Sequence, residues 1–505
     1  MRTAQEADLE ERCYQDEIAG RVTIPEPAAA TAEPLIYVYE LPPALNVWLY
    51  AQRAAGWLHC GTVEPRFNNE CSDPSIHPSM FPGGGYVGPP ELFLWERLLW
   101  SEHRTLDPNQ ADFFFVPALS RPGAGGFAGA QGVYPKGREQ YWQDVVGYLK
   151  ETWPFWAHSG GRDHIIVKMG DHGACESPRG KGIPEVIDPA VLISNWGLHT
   201  DTRGVPKEKW PYHDMGPCFR PGHDINVPAP QQHKLNDSPY IRDRETSRTT
   251  ILQFAGKTAW GPDKDFYSNG VRQKVYDAHA RRKNYKLVKF GPPLDMATSK
   301  FCLAPSGLGF GDRLPLVIAF GCIPVIIQDN ITQPFETELP YHLFSIRVAE
   351  TDIPQLPAIL DAVTPKQLEL MQAALRCVWP RFMWSSVYGA SGPETGADDA
   401  FATLLLGLRQ RRDLQEGLPA PQLFPKESAS IEEQVAALCS LSTRDQAAAG
   451  GAKACRAYNP FWRTEPRRTK NNCNDADLGG NKCCPKAHGQ PTWQPWPPGA
   501  GALLF

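Results

Sequence analysis

The stretch "SKFCLAPSGLGFGDRLPLVIAFGCIPVIIQD", residues 299–329, decides the fold. Its first apolar segment reads as a buried strand, "SGLGFGD" as a glycine-rich loop, "RLPLVIAF" as a short helix and "CIPVIIQD" as the next strand. Asp312 stands where an N-cap belongs. Pro315 falls in the first turn, where its missing N–H costs little, and Gly321 is placed for a left-handed C-cap. The apolar run 313–327 is shorter than the roughly 18 to 20 residues that cross a bilayer, and Pro315, Gly321 and Pro324 interrupt it. It is therefore read as buried core, one strand–helix–strand unit of a parallel sheet.

The same alternation extends in both directions. Upstream, "LIYVYEL", "ADFFFVP", "DHIIVKM" and "AVLISNW" are short runs rich in β-branched and aromatic residues, bounded by Gly, Pro, Asp or Asn. Between them, "PPELFLWERLLWSEHR" places Leu92, Trp95, Leu98 and Leu99 on one helical face. "REQYWQDVVGYLKETW" does the same with Tyr141, Val145, Tyr148 and Leu149. A polar, proline-rich break at about 220–248 precedes a second series: "TTILQFAG", "YKLVKFG", "SKFCLAP", "IPVIIQD" and "LFSIRVA". Strand alternating with helix implies parallel sheets covered on both faces, hence an α/β protein.

The expected organisation is an N-terminal linker or stem over 1–33, a first α/β unit over 34–235, a second over 236–390 and a closing helix over 391–412. Residues 413–505, rich in Ala, Pro, Gly and basic residues without a sustained period, read as a weakly structured, Cys-containing tail. Two such units leave a cleft lined by the carboxyl ends of their strands.

Composition excludes some functions. A chain of 505 residues with net charge −5 has no global basic field, which argues against nucleic-acid binding. Among its 13 cysteines no C-x-x-C pair occurs, so a zinc ribbon or thioredoxin-like site is not expected; a few disulfides formed in a secretory lumen, plus buried thiols, are. Sequons at Asn236 and Asn330 permit glycosylation in such a compartment. The acidic N-terminus has no apolar core, and the chain as given reads as soluble, with an upstream anchor left open.

Four places could carry chemistry. Glycines before a helix start let backbone N–H groups approach a phosphate, and Arg313 would add a bidentate cation. Glu336, beyond the following strand, could grip vicinal hydroxyls. Arg272, in "YSNGVRQ", is a second cation near a helix start. Asp171 and His172 directly follow the "DHIIVKM" strand, where either could take a proton from a substrate hydroxyl. Each has a plainer alternative: a tight turn, a solvated Glu, a surface Arg and a capped strand end. The pairs His213–Asp214 and His223–Asp224 lack metal-ligand spacing. The Asp-x-Asp triplets at 263–265 and 475–477 arise by chance in a chain this long and are set aside.

Taken together, "FCLAPSGLGFGDRLPLVIAFGCIPVIIQDNITQPFE" resembles the C-terminal signature of the exostosin-like glycosyltransferases, glycosyltransferase family 47. "IYVYELPPALN", "DPNQADFFFVP", "GGRDHIIV", "CFRPGHDINVPAP", "TTILQFAGK", "YSNGVRQ" and "DDAFATLL" match further blocks in the family's order, over about 34–412. The resemblance implies a GT-B fold, two Rossmann-like domains facing across a cleft. It implies inverting, metal-independent transfer from a UDP-sugar, with no cofactor, to a glycan or glycoprotein hydroxyl in the Golgi. On it, Arg272 and Arg313 neutralise the leaving diphosphate with Ser306 and Gly307 of the loop, Glu336 holds the ribose, and Asp171 or His172 serves as base. Homo- or hetero-oligomers with related transferases are among the implied partners.

The chain departs from the family pattern in "LGFGD", where serines usually precede the Arg, and in Gly170 beside Asp171, where the family often has His. The alternative is therefore a degenerate member that binds a glycan or a partner enzyme without turnover. A Rossmann oxidoreductase would need a G-x-G-x-x-G loop after the first strand, where this chain has prolines.

Overall fold

A computed structural model describes residues 33–46, 90–99, 101–118, 136, 138–170, 172–175, 183–199, 217–229, 238–242, 246–258, 267–307, 309, 311, 313–384, 399–418 and 429–448. The strands are β1 (Ile36–Val38), β2 (Arg104–Thr105), β3 (Phe113–Phe115), β4 (His164–Val167), β5 (Val191–Ser194), β6 (Gly197–Leu198), β7 (Ile225–Asn226), β8 (Thr250–Ala255), β9 (Tyr285–Val288), β10 (Ser299–Leu303), β11 (Ile323–Ile326), β12 (Ile331–Thr332) and β13 (Ile346–Arg347). The helices of seven residues or more are α1 (Pro90–Leu99), α2 (Arg138–Thr152), α3 (Val271–His279), α4 (Arg313–Ala319), α5 (Pro365–Val378), α6 (Ala400–Gln415) and α7 (Ile431–Ala448).

Two parallel sheets carry the architecture. The first runs β2-β1-β3-β4-β5-β7 and the second β13-β11-β10-β8-β9. Parallel pairing puts the carboxyl ends of each sheet along one rim, the place where ligands bind in open α/β sheets. Strands of the first sheet are buried on both faces because alternate residues feed two cores. Phe113, Phe115, Ile165 and Val167 point into one; Phe114, Val116 and Ile166 into the other. In the stretch 299–329, β10, α4 and β11 form as expected. Gly321 takes φ 66°, and a Cβ there would lie 2.6 Å from the Tyr240 hydroxyl, so both conformation and space demand glycine. The Cys302–Cys322 disulfide ties β10 to the entry of β11.

The helices late in the chain complete both halves. Asp399 caps α6 and pairs with Arg97 of α1 at 2.9 Å, and the Arg97 guanidinium lies over the Phe401 ring. Leu404 and Leu408 of α6 join the same core as Leu94 and Leu98 of α1. Helix α7 returns to the second half, where the Cys377–Cys439 disulfide fixes it to α5 and His342 bonds Gln434. Helical order thus reaches into the first part of the stretch read as a weakly structured tail from 413. Helix α6 continues to Gln415, and among the described side chains of α7 Val435 and Leu438 are its large buried apolar anchors. Residues 449–505 lie outside the described ones.

The halves are joined by an antiparallel β6–β12 pair, by the Asn226 side chain donating to the Thr332 carbonyl at 2.6 Å, and by Arg411. Arg411 Nη1 donates to Glu338 Oε1 at 2.9 Å and Nη2 to the Asp224 carbonyl at 2.7 Å, with both carboxylate and guanidinium buried. Two parallel sheets linked in this way fit the GT-B arrangement. Among the described residues no helix is long and apolar enough to cross a membrane.

Candidate functional site

At the rim of the second sheet the structure gathers Arg272, Ser306, Gly307 and Arg313. Arg272, 7% exposed on the first turn of α3, donates from Nε to the Ser306 carbonyl at 2.9 Å. Its Nη1 donates to the Lys257 carbonyl and the Tyr267 hydroxyl at 3.1 and 3.0 Å. It thus staples the loop after β8 to the loop after β10. Arg313, the first residue of α4, donates to the Ala255 carbonyl at the end of β8. Both guanidinium groups lie over the Phe254 ring, 5.3 and 5.4 Å from its centre, so one aromatic ring supports two cations.

The backbone before α3 is strained. Ser268, Asn269 and Gly270 take φ of 60°, 53° and 72° in succession, and the Ser268 N–H donates to the Gly307 carbonyl at 2.8 Å. Two non-glycine residues in the left-handed region cost of order 1–3 kcal/mol each, and such strain clusters at ligand sites. The Ser268 and Ser306 hydroxyls are buried and have no hydrogen-bond partner among the described residues, which suits them to a ligand oxygen.

Glu336 belongs to a second cluster, where the halves meet. Its carboxylate accepts the Gln333 N–H at 2.7 Å and pairs with Arg347 of β13. Phe335 beside it is held at φ 56°, an outlier for a bulky residue. His199, just past β6, bonds the Thr332 hydroxyl and stacks on Phe219. Burial holds the His199 imidazole below its ordinary value; Glu336 raises it and Arg347 lowers it further.

In the first half, His172 is only 2% exposed, in the turn that leads from β4 into a short 3-10 helix at 173–175. Cys175 in that turn is bonded to Cys218. Asp171, Asp312 and the pair His213–Asp214 lie outside the described residues. The His223–Asp224 pair is accounted for structurally: Asp224 accepts from Arg220 Nη2 at 2.7 Å, from Arg220 Nε at 2.9 Å and from the Leu192 N–H at 3.1 Å. Burial alone would raise the Asp224 carboxyl, but hydrogen bonds from His223 and Arg220 hold it below its ordinary value.

Sequence reasoning missed Phe254, Tyr267, Arg347 and His199. Phe254 reads in "TTILQFAG" only as a strand residue, and the others acquire their partners through contacts distant in the chain.

The profile of the Exostosin GT47 domain matches residues 30–363. The chain is 31% identical over 304 residues to a probable glucuronosyltransferase of Oryza sativa subsp. japonica, covering 57% of this chain and 67% of the relative. It is 26% identical over 358 residues to a second probable glucuronosyltransferase of that species, covering 67% and 73%. To a probable beta-1,4-xylosyltransferase of Arabidopsis thaliana it is 28% identical over 305 residues, covering 56% and 67%. The chain spans about two thirds of the length of the curated relatives it matches first. With two parallel sheets, a basic rim on the second and a profile match across both, the chain belongs to the exostosin GT47 family.

Proposed function

We propose that this chain is an inverting glycosyltransferase that moves a sugar from a UDP-sugar to a hydroxyl of a polysaccharide or glycoprotein glycan, in the Golgi. The observation that carries it is the pair of guanidinium groups, Arg272 and Arg313, on Phe254 at the carboxyl end of β8. Positive charge fixed before the reaction, aimed where a leaving diphosphate develops negative charge, is the largest single contribution such a site can make. Arg313 faces the diphosphate, while Arg272 holds the two loops and adds its field. Ser306 and Ser268 offer hydroxyls, and the Gly307 turn keeps the backbone close. Glu336, positioned by Arg347, takes the hydroxyls of the donor's ribose. Asp171 removes the acceptor proton as the acceptor oxygen displaces UDP in one step. No metal is required on this reading, because the arginines carry the charge. The names of the relatives support a glucuronosyl or xylosyl donor.

The test is a panel of UDP-glucuronate, UDP-xylose, UDP-galactose and UDP-arabinose, each offered with β-linked xylan oligosaccharides, with UDP release as readout. Turnover of one donor that survives a chelator is the expected result. Tight UDP binding without release from any donor would leave the glycan-binding, non-catalytic alternative.

A further inference from the structure

Glu350 has no role in the reaction proposed above, yet it reaches the strained turn that carries Ser268. One oxygen of its half-buried carboxylate accepts the Asn269 side-chain N–H at 2.6 Å. The other accepts the Asp329 backbone N–H at 3.3 Å, and the Glu350 N–H donates in return to the Asp329 carboxylate at 3.2 Å. A single side chain thus ties the entry of α3 to the loop after β11.

The support beneath Glu350 is firm. It opens a 3-10 helix, Glu350–Gln355, shortly after β13. Before it, the Val348 N–H donates to the Ile326 carbonyl at 2.9 Å and Arg347 Nη1 to the Gln328 carbonyl at 3.2 Å. Beyond it, Ile353 is buried, and its carbonyl bonds the ring of His279, the last residue of α3, at 2.7 Å. The 350–355 segment therefore grips α3 at both ends, through Asn269 at its entry and through His279 at its exit.

The entry turn needs such a grip. Ser268 and Asn269 both take left-handed φ, a conformation that Asn tolerates and Ser seldom adopts. An unbraced turn relaxes toward ordinary φ, and that rotation swings the Ser268 hydroxyl, which is buried without a hydrogen-bond partner among the described residues. The Gly307 carbonyl holds the turn from one side, through the Ser268 N–H, and Glu350 holds it from the other. We infer that Glu350 is a positioning residue: through Asn269 it keeps the strained turn in place, so that the Ser268 hydroxyl meets the donor's diphosphate. This assignment rests on the donor-site reading above. A carboxylate has no attraction of its own for a diphosphate, so its benefit to binding passes through the turn. A hydroxyl already held in place loses little freedom when the ligand arrives.

The test is calorimetry of the full chain with UDP and with pyrophosphate. Glu350→Ala and Ser268→Ala are each expected to weaken both ligands about tenfold, and the double variant to stay within about twofold of either single one. Glu350→Gln should stay within about threefold of the parent, because its amide still accepts from the Asp329 N–H and donates to an Asn269 amide turned over. Losses that multiply in the double variant overturn the proposal, since Glu350 would then act apart from Ser268. A loss confined to UDP also overturns it, because that marks a contact with the nucleoside. A Gln variant as weak as the Ala variant does the same, since restored hydrogen bonds should hold the turn without the charge. Asn269→Ala cuts the link from the turn's side, and parental affinity there overturns the proposal even if Glu350→Ala fails to fold. Should the parent bind UDP and Glu350→Ala bind it equally well, the brace falls and the donor site stands. A parent chain with no affinity for UDP defeats the donor-site reading, and the brace with it.

Discussion

At the rim of the second sheet, Arg272 and Arg313 lie against one ring, supplied by residues between 254 and 313. In the first half, charge is buried instead: Asp224 at the start of β7 collects Arg220, His223, the Leu192 N–H and, through its carbonyl, Arg411 from far down the chain. The difference is one of purpose and of range. Of the cations on the second rim, Arg313 is half-buried and Arg272 buried, and both are placed by loops close in sequence. Those of the first half satisfy a buried carboxylate and bind the two halves together. A charge spent on structure should show its loss in stability, and a charge spent on a ligand should show it in affinity.

That contrast can be broken most directly at Asp224. Asp224→Ala takes the buried carboxylate from a partly exposed Arg220 and leaves the buried Leu192 N–H without its acceptor, a loss of about 1–3 kcal/mol. Urea denaturation should register that loss, and a loss under about 1 kcal/mol would show that the hub does not hold the first half. The next effect reverses the pattern. Arg313→Ala should weaken UDP about a hundredfold by calorimetry while the melting temperature stays near the parent's, as expected for a charge aimed at a diphosphate. Wild-type UDP affinity in that variant would remove Arg313 from the donor site. Asp171→Asn should do the opposite in kinetics, sparing UDP affinity and cutting turnover by about 10²- to 10⁴-fold. Equal rates would move the base elsewhere.

The smallest effect tests the seam between the halves. His199 titrates below its ordinary value of 6.5 because the folded state resists charging it. The unfolded chain therefore binds the proton first as pH falls. The stability His199 contributes is present above about pH 6.5 and is lost as pH drops through that value and then through the lower folded one. Thermal melts of the parent should fall more steeply below pH 6.5 than those of His199→Gln. Parallel curves would mean that the contact with Thr332 carries no pH dependence.

Much of this molecule is legible in its residue order. The runs around 36, 113, 164, 191, 250, 285, 299, 323 and 346 became strands because β-branched and aromatic residues, bounded by turn formers, specify that conformation locally. The surroundings of Arg313, Ser306 and Gly307 were legible for the same reason, since a strand, a glycine loop and a helix start follow one another within a few turns. The short strands β6 and β12 were not legible, because two residues carry no period and their pairing joins positions more than 130 residues apart. Nor was α7, which depends on a disulfide to α5. His172 shows another limit: its burial comes from packing, which its place after a strand does not reveal.

By itself, then, the sequence determined the two α/β halves, the unit around 299–329 and the family signature, all products of short-range pattern. Only the tertiary structure decided that Arg272 braces loops while Arg313 stands at the end of β8, and that Glu336 pairs with Arg347. Those outcomes depend on the register between strands and on which carbonyl each guanidinium reaches, and no local preference encodes either.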